Sequence, residues 1–503
     1  MIVGRAGRKE WIGLGVLSLA CLIYVMDLTV LNLAIPQISS QLQPTSAELL
    51  WIIDIYGFVV AGSLITMGTL GDRIGRRRIL MIGAAAFAVI SVLAAFAPSA
   101  RMLILARALM GLAGATVAPS TLSLLFNMFE DPKERSVAIG WWVAAFSAGA
   151  AVGPIAGGFL LEQFWWGSVF LLAVPAMGLL LLLGPVLLPE YRDPNSGRLD
   201  LMSAALALLS ILAIIFGLKE LAQGGAVALA VGSVAAGLIL GWVFVRRQRH
   251  LTDPLFDLAL FTSKAFRASL VAYLLAIFVI GGYLLFIAQY MQLVLELTPL
   301  EAAFWGLPAA LAFVAGSQIG SRLLNRNRPA IVMSAGVAIA AVALLAFLFV
   351  GQTNDLVLIA IASVVISLGL SPVITMATEL IVGSAPQEKA GAASGISETS
   401  AELGGALGIA LLGSVGTAVY RGSLGPRLGL VGGERNQALD TLGGALEIAG
   451  SLSVEESKRL LIAARDAFTL SLRISAGIAA AIAILIAIVA WRMLRSVPPI
   501  ARS

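Results

Sequence analysis

The sequence predicts an all-α integral membrane protein of fourteen transmembrane helices, arranged as two six-helix bundles with an inserted helical pair. Three observations carry that expectation. Of 503 residues, 59% are hydrophobic and only 12% charged, with a mean hydropathy of +0.97, whereas a soluble chain carries about a quarter charged residues. Lys and Arg gather in short connections between long apolar runs. Glycine patterns recur at a constant offset of 255 residues, so the chain reads as a duplicated unit.

Composition also excludes several classes of function. A net charge of +5 would suit nucleic acid, but the bases sit at span ends and mark topology, so no nucleic-acid partner is expected. Cys21, the only cysteine, lies in an apolar run, which leaves no intrachain disulfide and no cysteine metal site. His250, the only histidine, sits in a polar connection, so neither a metal centre nor an enzymatic triad is legible. No G-x-x-x-x-G-K-[ST] occurs, so neither ATP nor another cofactor is implied. The first apolar run is long enough to span and lacks a cleavable signal pattern.

Runs long enough to cross the bilayer fall at 11–36, 49–70, 79–97, 102–126, 136–160, 165–188, 199–218, 226–245, 266–292, 302–324, 329–350, 356–382, 394–420 and 468–492. An even number puts both ends on one side. With that side cytoplasmic, the outer connections hold only Arg101, Lys219 and the bases of one long stretch from 421 to 473. Long loops are largely exempt from the positive-inside rule, so the bias is nearly complete. Trp11, Trp51, Trp165, Trp166, Trp242, Trp305 and Trp491 lie at run ends, where an interfacial belt is expected.

Residues 1–190 then form one six-helix bundle, 191–263 the inserted spans 7 and 8 with their linkers, and 264–503 the second bundle. The loop 422–467 of the second bundle falls outside the membrane. Ser453 and Glu456 form a capping box there, opening an amphipathic helix that is either a solvated cover or a lid over the outer mouth.

The connection GTLGDRIGRRRIL (68–80) packs Arg73, Arg76, Arg77 and Arg78 into six positions. Gly68, Gly71 and Gly75 allow tight turning and close helix approach. Asp72 among these cations suits a latch whose acid and bases pair in one conformation and part in another; plain anchoring is the simpler reading. GSQIGSRLLNRNR (316–328) looks like a degraded copy, with Ser321 in place of the acid. Span 5 (GAAVGPIAGG) and span 13 repeat each other through Gly140/Gly395, Gly149/Gly404, Gly153/Gly408 and Gly158/Gly413. The same offset carries Trp11 onto Phe266. In span 5, Gly149, Gly153, Gly157 and Gly158 give a smooth packing face and Pro154 allows a hinge.

Charges within spans cost a few kcal/mol each unless paired, hydrated or neutralised, so they are the candidate functional groups. Asp27 stands about 24 Å into span 1, slightly past the midplane, and is a candidate proton carrier. Asp54 lies near the outer end of span 2, and Arg107 near that of span 4, at a depth that could match Asp27 or Asp54. A guanidinium keeps its charge, so Arg107 suits a switching partner or a permanent structural tie. Glu398 and Glu402 share one face of span 13, a turn apart, and that face must meet a cavity or the cytoplasmic interface. They suit binding of an organic cation, of protons, or of both. Glu379 is ambiguous at the inner end of span 12, and Glu296 is expected to be solvated. Tyr24, Tyr56, Trp141 and Trp142 could line a cavity for flat cations.

Asp27 in MDLTVLNLAIP, the run LLWIIDIYGFVVAGSLITMGTLGDRIGRRR, Arg107, GAAVGPIAGG and SETSAELGG together resemble the fourteen-span drug:proton antiporters of the major facilitator superfamily, over nearly the whole chain. The resemblance implies a major facilitator fold and a monomer in the bacterial inner (cytoplasmic) membrane. It implies that protons are exchanged for amphipathic, mostly cationic compounds such as quaternary ammonium compounds, dyes and fluoroquinolone-type drugs. By it, Asp27 and Asp54 are protonatable sites, Glu398 and Glu402 carboxylates for cation recognition or coupling, and Asp72 a member of the gating loop. The glycine-proline run is the feature such families associate with antiport. Members with strong dication specificity carry a further acid in span 10, and LPAALAFVAG has none. The alternative is export of a neutral or anionic natural product or siderophore by the same fold.

Overall fold

The computed structural model describes residues 6–192, 200–222, 226–251, 258–324, 327–351, 355–383, 390–428 and 432–495; a few side chains within them, Asp72 included, are outside the description. Among the described residues every regular element is a helix. In the first half these are α1 (Arg8–Leu42), α2 (Ser46–Ile74), α3 (Arg76–Ala95), α4 (Ala100–Gly114), α5 (Val117–Met128), α6 (Pro132–Gln163), α7 (Ser168–Leu171) and α8 (Ala173–Leu187). The inserted pair is α9 (Leu201–Ala222) and α10 (Val227–Gln248). The second half holds α11 (Lys264–Gln289), α12 (Pro299–Leu324), α13 (Pro329–Ala346), α14 (Leu356–Gly383), α15 (Ala390–Leu424), α16 (Gly432–Asp440), α17 (Leu442–Ser451) and α18 (Val454–Leu494).

Thirteen membrane-length apolar helices are found among the described residues, and the 32-residue α6 occupies the position of the fifth expected span. Local chemistry sets their ends. Thr45 accepts from the amide of Glu48, whose carboxylate bonds back to the Thr45 amide, starting α2. Ser99 and Ser263 cap α4 and α11 from one side only, accepting from the amides of Met102 and Phe266. Gly75 separates α2 from α3 at φ +114°, a conformation that L side chains rarely adopt. The fourth expected span is divided into α4 and α5. The amphipathic helix that starts at Ser453 does not stop at the membrane: it runs on as the 41-residue α18.

Within the first half α1 packs on α6 and α8, α2 on α4, and α3 on α4 and α8; within the second, α11 packs on α15, α14 and α18, and α12 on α14. The halves meet along α2–α15 and α6–α12, and α9 lies beside the first of these seams. The repeated glycines explain both kinds of contact. A Cβ on Gly149 would stand 2.5 Å from the carbonyl oxygen of Leu22 on α1, and one on Gly404 2.5 Å from that of Leu274 on α11. Gly158 backs onto Leu300 of α12, and Gly413 onto Leu50 of α2, so these two glycines sit in the seams between halves. Small residues let backbones approach where lipid supplies no hydrophobic drive. The glycines keep their offset of 255, but Leu22 and Leu274 are 252 apart. The single offset expected from Trp11 and Phe266 therefore fails for α1 and α11: three extra residues entered between them and their glycine partners.

The stretch after α15 folds over the end of the molecule where α1 runs into α2. Ser46 Oγ donates to the carbonyl of Asp440 at 2.6 Å, Gln43 bonds Glu447 at 2.6 Å, and Gly443 packs on Ser39. Arg421 ties Asp440 at 2.6 Å. Under this cover lies a cavity of about 50 Å³ lined by Ser46, Leu50, Gln289, Tyr420 and Asp440.

Candidate functional site

The apolar face of α1 carries Asp27 toward α4, whose Arg107 is the largest fully buried side chain among the described residues. Arg107 Nη1 meets Asp27 Oδ2 at 2.5 Å, with side chains 1% and 8% exposed. Arg107 Nε donates to the carbonyl of Ile52 at 3.3 Å. The ring of Tyr56 lies 4.5 Å from its Cζ and that of Phe170 at 6.0 Å. The guanidinium thus meets a carboxylate, a carbonyl dipole and two ring faces, which together offset the cost of removing it from water. A cavity of about 10 Å³ beside Asp27, lined also by Met26, Val30 and Phe170, is the size of one water.

One turn before Asp27 on the same helix, Tyr24 donates from its hydroxyl to Glu402 Oε1 of α15 at 2.6 Å. This bond crosses from the first half to the second. The Tyr24 ring stands 6.2 Å from that of Tyr56 and 6.3 Å from that of Phe146, which in turn meets Trp142 at a tilt, 4.5 Å between centroids. Tyr56 is buried between the two sites, in electrostatic reach of Asp27, Glu402 and Arg107, and its hydroxyl has no hydrogen-bond partner among the described residues. Glu398, a turn from Glu402, is half-buried. Neither carboxylate pairs with a cation among the described residues. Tyr273 of α11 comes within electrostatic reach of both.

The other expected residues fall as follows. Asp54 is buried on α2. Trp142 is half-buried and donates from Nε1 to Thr121 Oγ1 at 3.1 Å; the same hydroxyl lies 3.4 Å from the sulfur of buried Cys21. Trp141, by contrast, is 63% exposed. Gly149, Gly153 and Gly157 face α1, at Leu22, Met26 and Val30, and α6 continues as a helix through Pro154. Glu379 is exposed at the end of α14. Glu296 is not simply solvated: it pairs with Arg465 of α18 at 2.5 Å.

In the loop, Gly75 faces Glu190, whose carboxylate accepts from the Arg77 amide at 3.1 Å and pairs with its guanidinium at 3.6 Å. Arg76 is nearly buried, its amide bonding Tyr191, and Arg73 is exposed. The Asp72 side chain lies outside the described residues. Sequence reasoning did not find Glu190, Tyr273 or the Tyr24–Glu402 bond. Only the last left a trace, since Tyr24 stands one helical turn from an intramembrane acid.

Comparisons with known proteins bear on this arrangement. The sequence profile described as Major Facilitator Superfamily matches residues 17–409. The chain is 42% identical to the multidrug efflux pump LfrA of Mycolicibacterium smegmatis, over 95% of this chain and 94% of that one. It is 32% identical to the methyl viologen resistance protein SmvA of Salmonella typhimurium, over 96% and 98%. Among solved structures, a bacterial homologue of the human lysosomal transporter Spinster, in an inward-facing and occupied conformation, superposes with a TM-score of 0.66 at 19% identity, covering 98% of both chains.

Proposed function

Because the chain belongs to the major facilitator superfamily, we propose that it is a proton-driven exporter of amphipathic, mostly cationic drugs working by alternating access. Residues 1–190 and 264–503 are the two rocking bundles, and 191–263 carries the inserted pair. The protein sits in the bacterial cytoplasmic membrane as a monomer, both ends inside. A multidrug efflux relative matched over nearly the full length, and a multidrug resistance relative matched over 84% of this chain, support drug export.

One observation carries the coupling. Tyr24, bound to Glu402, and Asp27, bound to Arg107, are a single turn apart on α1. A cation that settles on Glu402 competes with the Tyr24 hydroxyl for the carboxylate, and so loosens α1 from α15. A proton on Asp27 removes the counter-ion of Arg107, which keeps its charge and loses the ion-pair attraction that held α1 to α4. Each event changes what holds α1, so proton and drug act on one element. Exchanging one proton for one monovalent cation moves no net charge and draws on the pH gradient alone, about 1.4 kcal/mol per pH unit. Asp54 offers a second site, and a second proton would add about 2.3 kcal/mol per 100 mV of potential. Glu398 and Glu402 together could balance a dication without an acid in the LPAALAFVAG stretch of α12.

The test uses purified protein in liposomes with an internal pH dye. Addition of ethidium or methyl viologen is expected to move protons in the wild type and not in Asp27→Asn. Folded wild-type protein that moves no protons with any cation would overturn the reading.

A further inference from the structure

The inserted pair ends in a corner that the transport reading leaves unused. Between the start of α9 and the end of α10 lies a cavity of about 510 Å³, with Met202, Leu206 and Val243 as apolar walls and Arg246, Arg247 and His250 at its rim. The corner is held rigid. Arg247 bonds Asp200 at 3.0 Å and Ser203 at 3.1 Å, and Gln248 bonds Ser203 at 2.7 Å. Asp200, the acid adjoining the rim, is therefore occupied. Arg246 makes no ion pair among the described residues. Its guanidinium lies 5.3 Å from the Trp242 ring one turn earlier, and Arg249 is exposed three residues on.

The walls identify the occupant. Met202 is 61% and Trp242 60% exposed, on helices whose membrane-length windows are 22% and 11% buried, so the cavity opens toward lipid. A soluble anion could use the rim but not the walls. A diacyl phospholipid could use both, with its phosphate on Arg246 and His250 and an acyl chain along Met202, Leu206 and Val243. The bases select a headgroup of net negative charge. A Trp and arginines at the end of an apolar helix stand at headgroup depth. We propose that this corner is a binding site for an anionic phospholipid, of the phosphatidylglycerol type, in the leaflet that meets the positively charged connections.

Native mass spectrometry of the full chain tests it, titrating dioleoyl phosphatidylglycerol against dioleoyl phosphatidylcholine and inorganic phosphate. Phosphatidylglycerol is expected to stay bound under activation that strips phosphatidylcholine. The variant Arg246→Gln/His250→Gln should lower the retained fraction several-fold, while Arg459→Gln, on an exposed helix surface far along the chain, should not. Met202→Glu, which puts a negative charge on the apolar wall, should expel the lipid as well and decides the matter if the double variant folds poorly. Unchanged retention in these variants, or equal retention of phosphatidylcholine, would overturn the proposal. Displacement by millimolar phosphate would overturn it too, since it would mark a soluble-anion site.

Discussion

In the first half of the molecule the acid lies on α1 and the packing glycines on α6. In the second half acids and glycines share α15, while α11 carries Val279 in the register that places Asp27 on α1. The two helix pairs meet through the same glycine-to-carbonyl contacts, so backbone packing constrains them alike. Their electrostatics differ. Asp27 is matched by Arg107 in a buried site. Among the described residues Glu402 meets a tyrosine hydroxyl and no cation. The repeat thus keeps the same backbone joint in both halves around carboxylates with different partners.

Removing Arg107 should break this contrast most severely. Arg107→Ala strands a buried carboxylate and is expected to cost about 3–5 kcal/mol, read as a large fall in Tm. Asp27→Asn/Arg107→Gln should recover most of that without restoring proton movement. Glu402→Gln should leave Tm almost unchanged; equal losses at Arg107 and Glu402 would erase the distinction. Next come the glycines. Gly149→Ala and Gly404→Ala should each cost about 1–3 kcal/mol by overpacking, and by similar amounts. A clear inequality in melting would show that the two joints are not equivalent.

The carboxylate itself is sharper in binding than in stability. Glu402→Gln should weaken ethidium binding by about tenfold, equivalent to about 1.4 kcal/mol, in a fluorescence titration. Tyr24→Phe removes the competitor and should tighten binding a few-fold; weaker binding in that variant would make Tyr24 part of the cation site.

The smallest effect belongs to a charge pair outside both halves. Burial opposes the charge of Asp200, but hydrogen bonds from Ser203 and Arg247 outweigh it and hold its carboxyl below the ordinary carboxylate value. Its contribution is present above the unfolded value and lost as pH falls through the lowered one. Asp200→Asn should therefore cost under about 1 kcal/mol at neutral pH and abolish that acid-side decline in melting.

Span positions were legible because each must be apolar for about 20 residues whatever it packs against. The glycine repeat was legible for a similar reason: close backbone approach admits almost no substitute. Partners were harder to read. That Asp27 meets Arg107 could be set only to a depth, since several faces of α1 point inward, and rotation about the helix axis depends on α2, α4 and α8 at once. The offset of 252 for α1 and α11 was hidden because their sequences differ around Asp27 and Val279, leaving the starts of the apolar runs at Trp11 and Phe266 to suggest 255. The bond from Tyr24 to Glu402 joins residues 378 apart, and no local pattern announces it. Trp141 and Trp142 show the limit plainly: neighbours in sequence, a helix turns them about 100° apart, and one faces outward while the other meets Thr121.

The thiol of Cys21 is sealed between α1 and α5 against Thr121, and it is the only cysteine of the chain. For labelling chemistry this is a silent background. A cysteine placed on α16, on the rim of α10 or at Arg73 becomes the one readily reactive thiol, so spectroscopic probes can be installed singly without first stripping the native sequence.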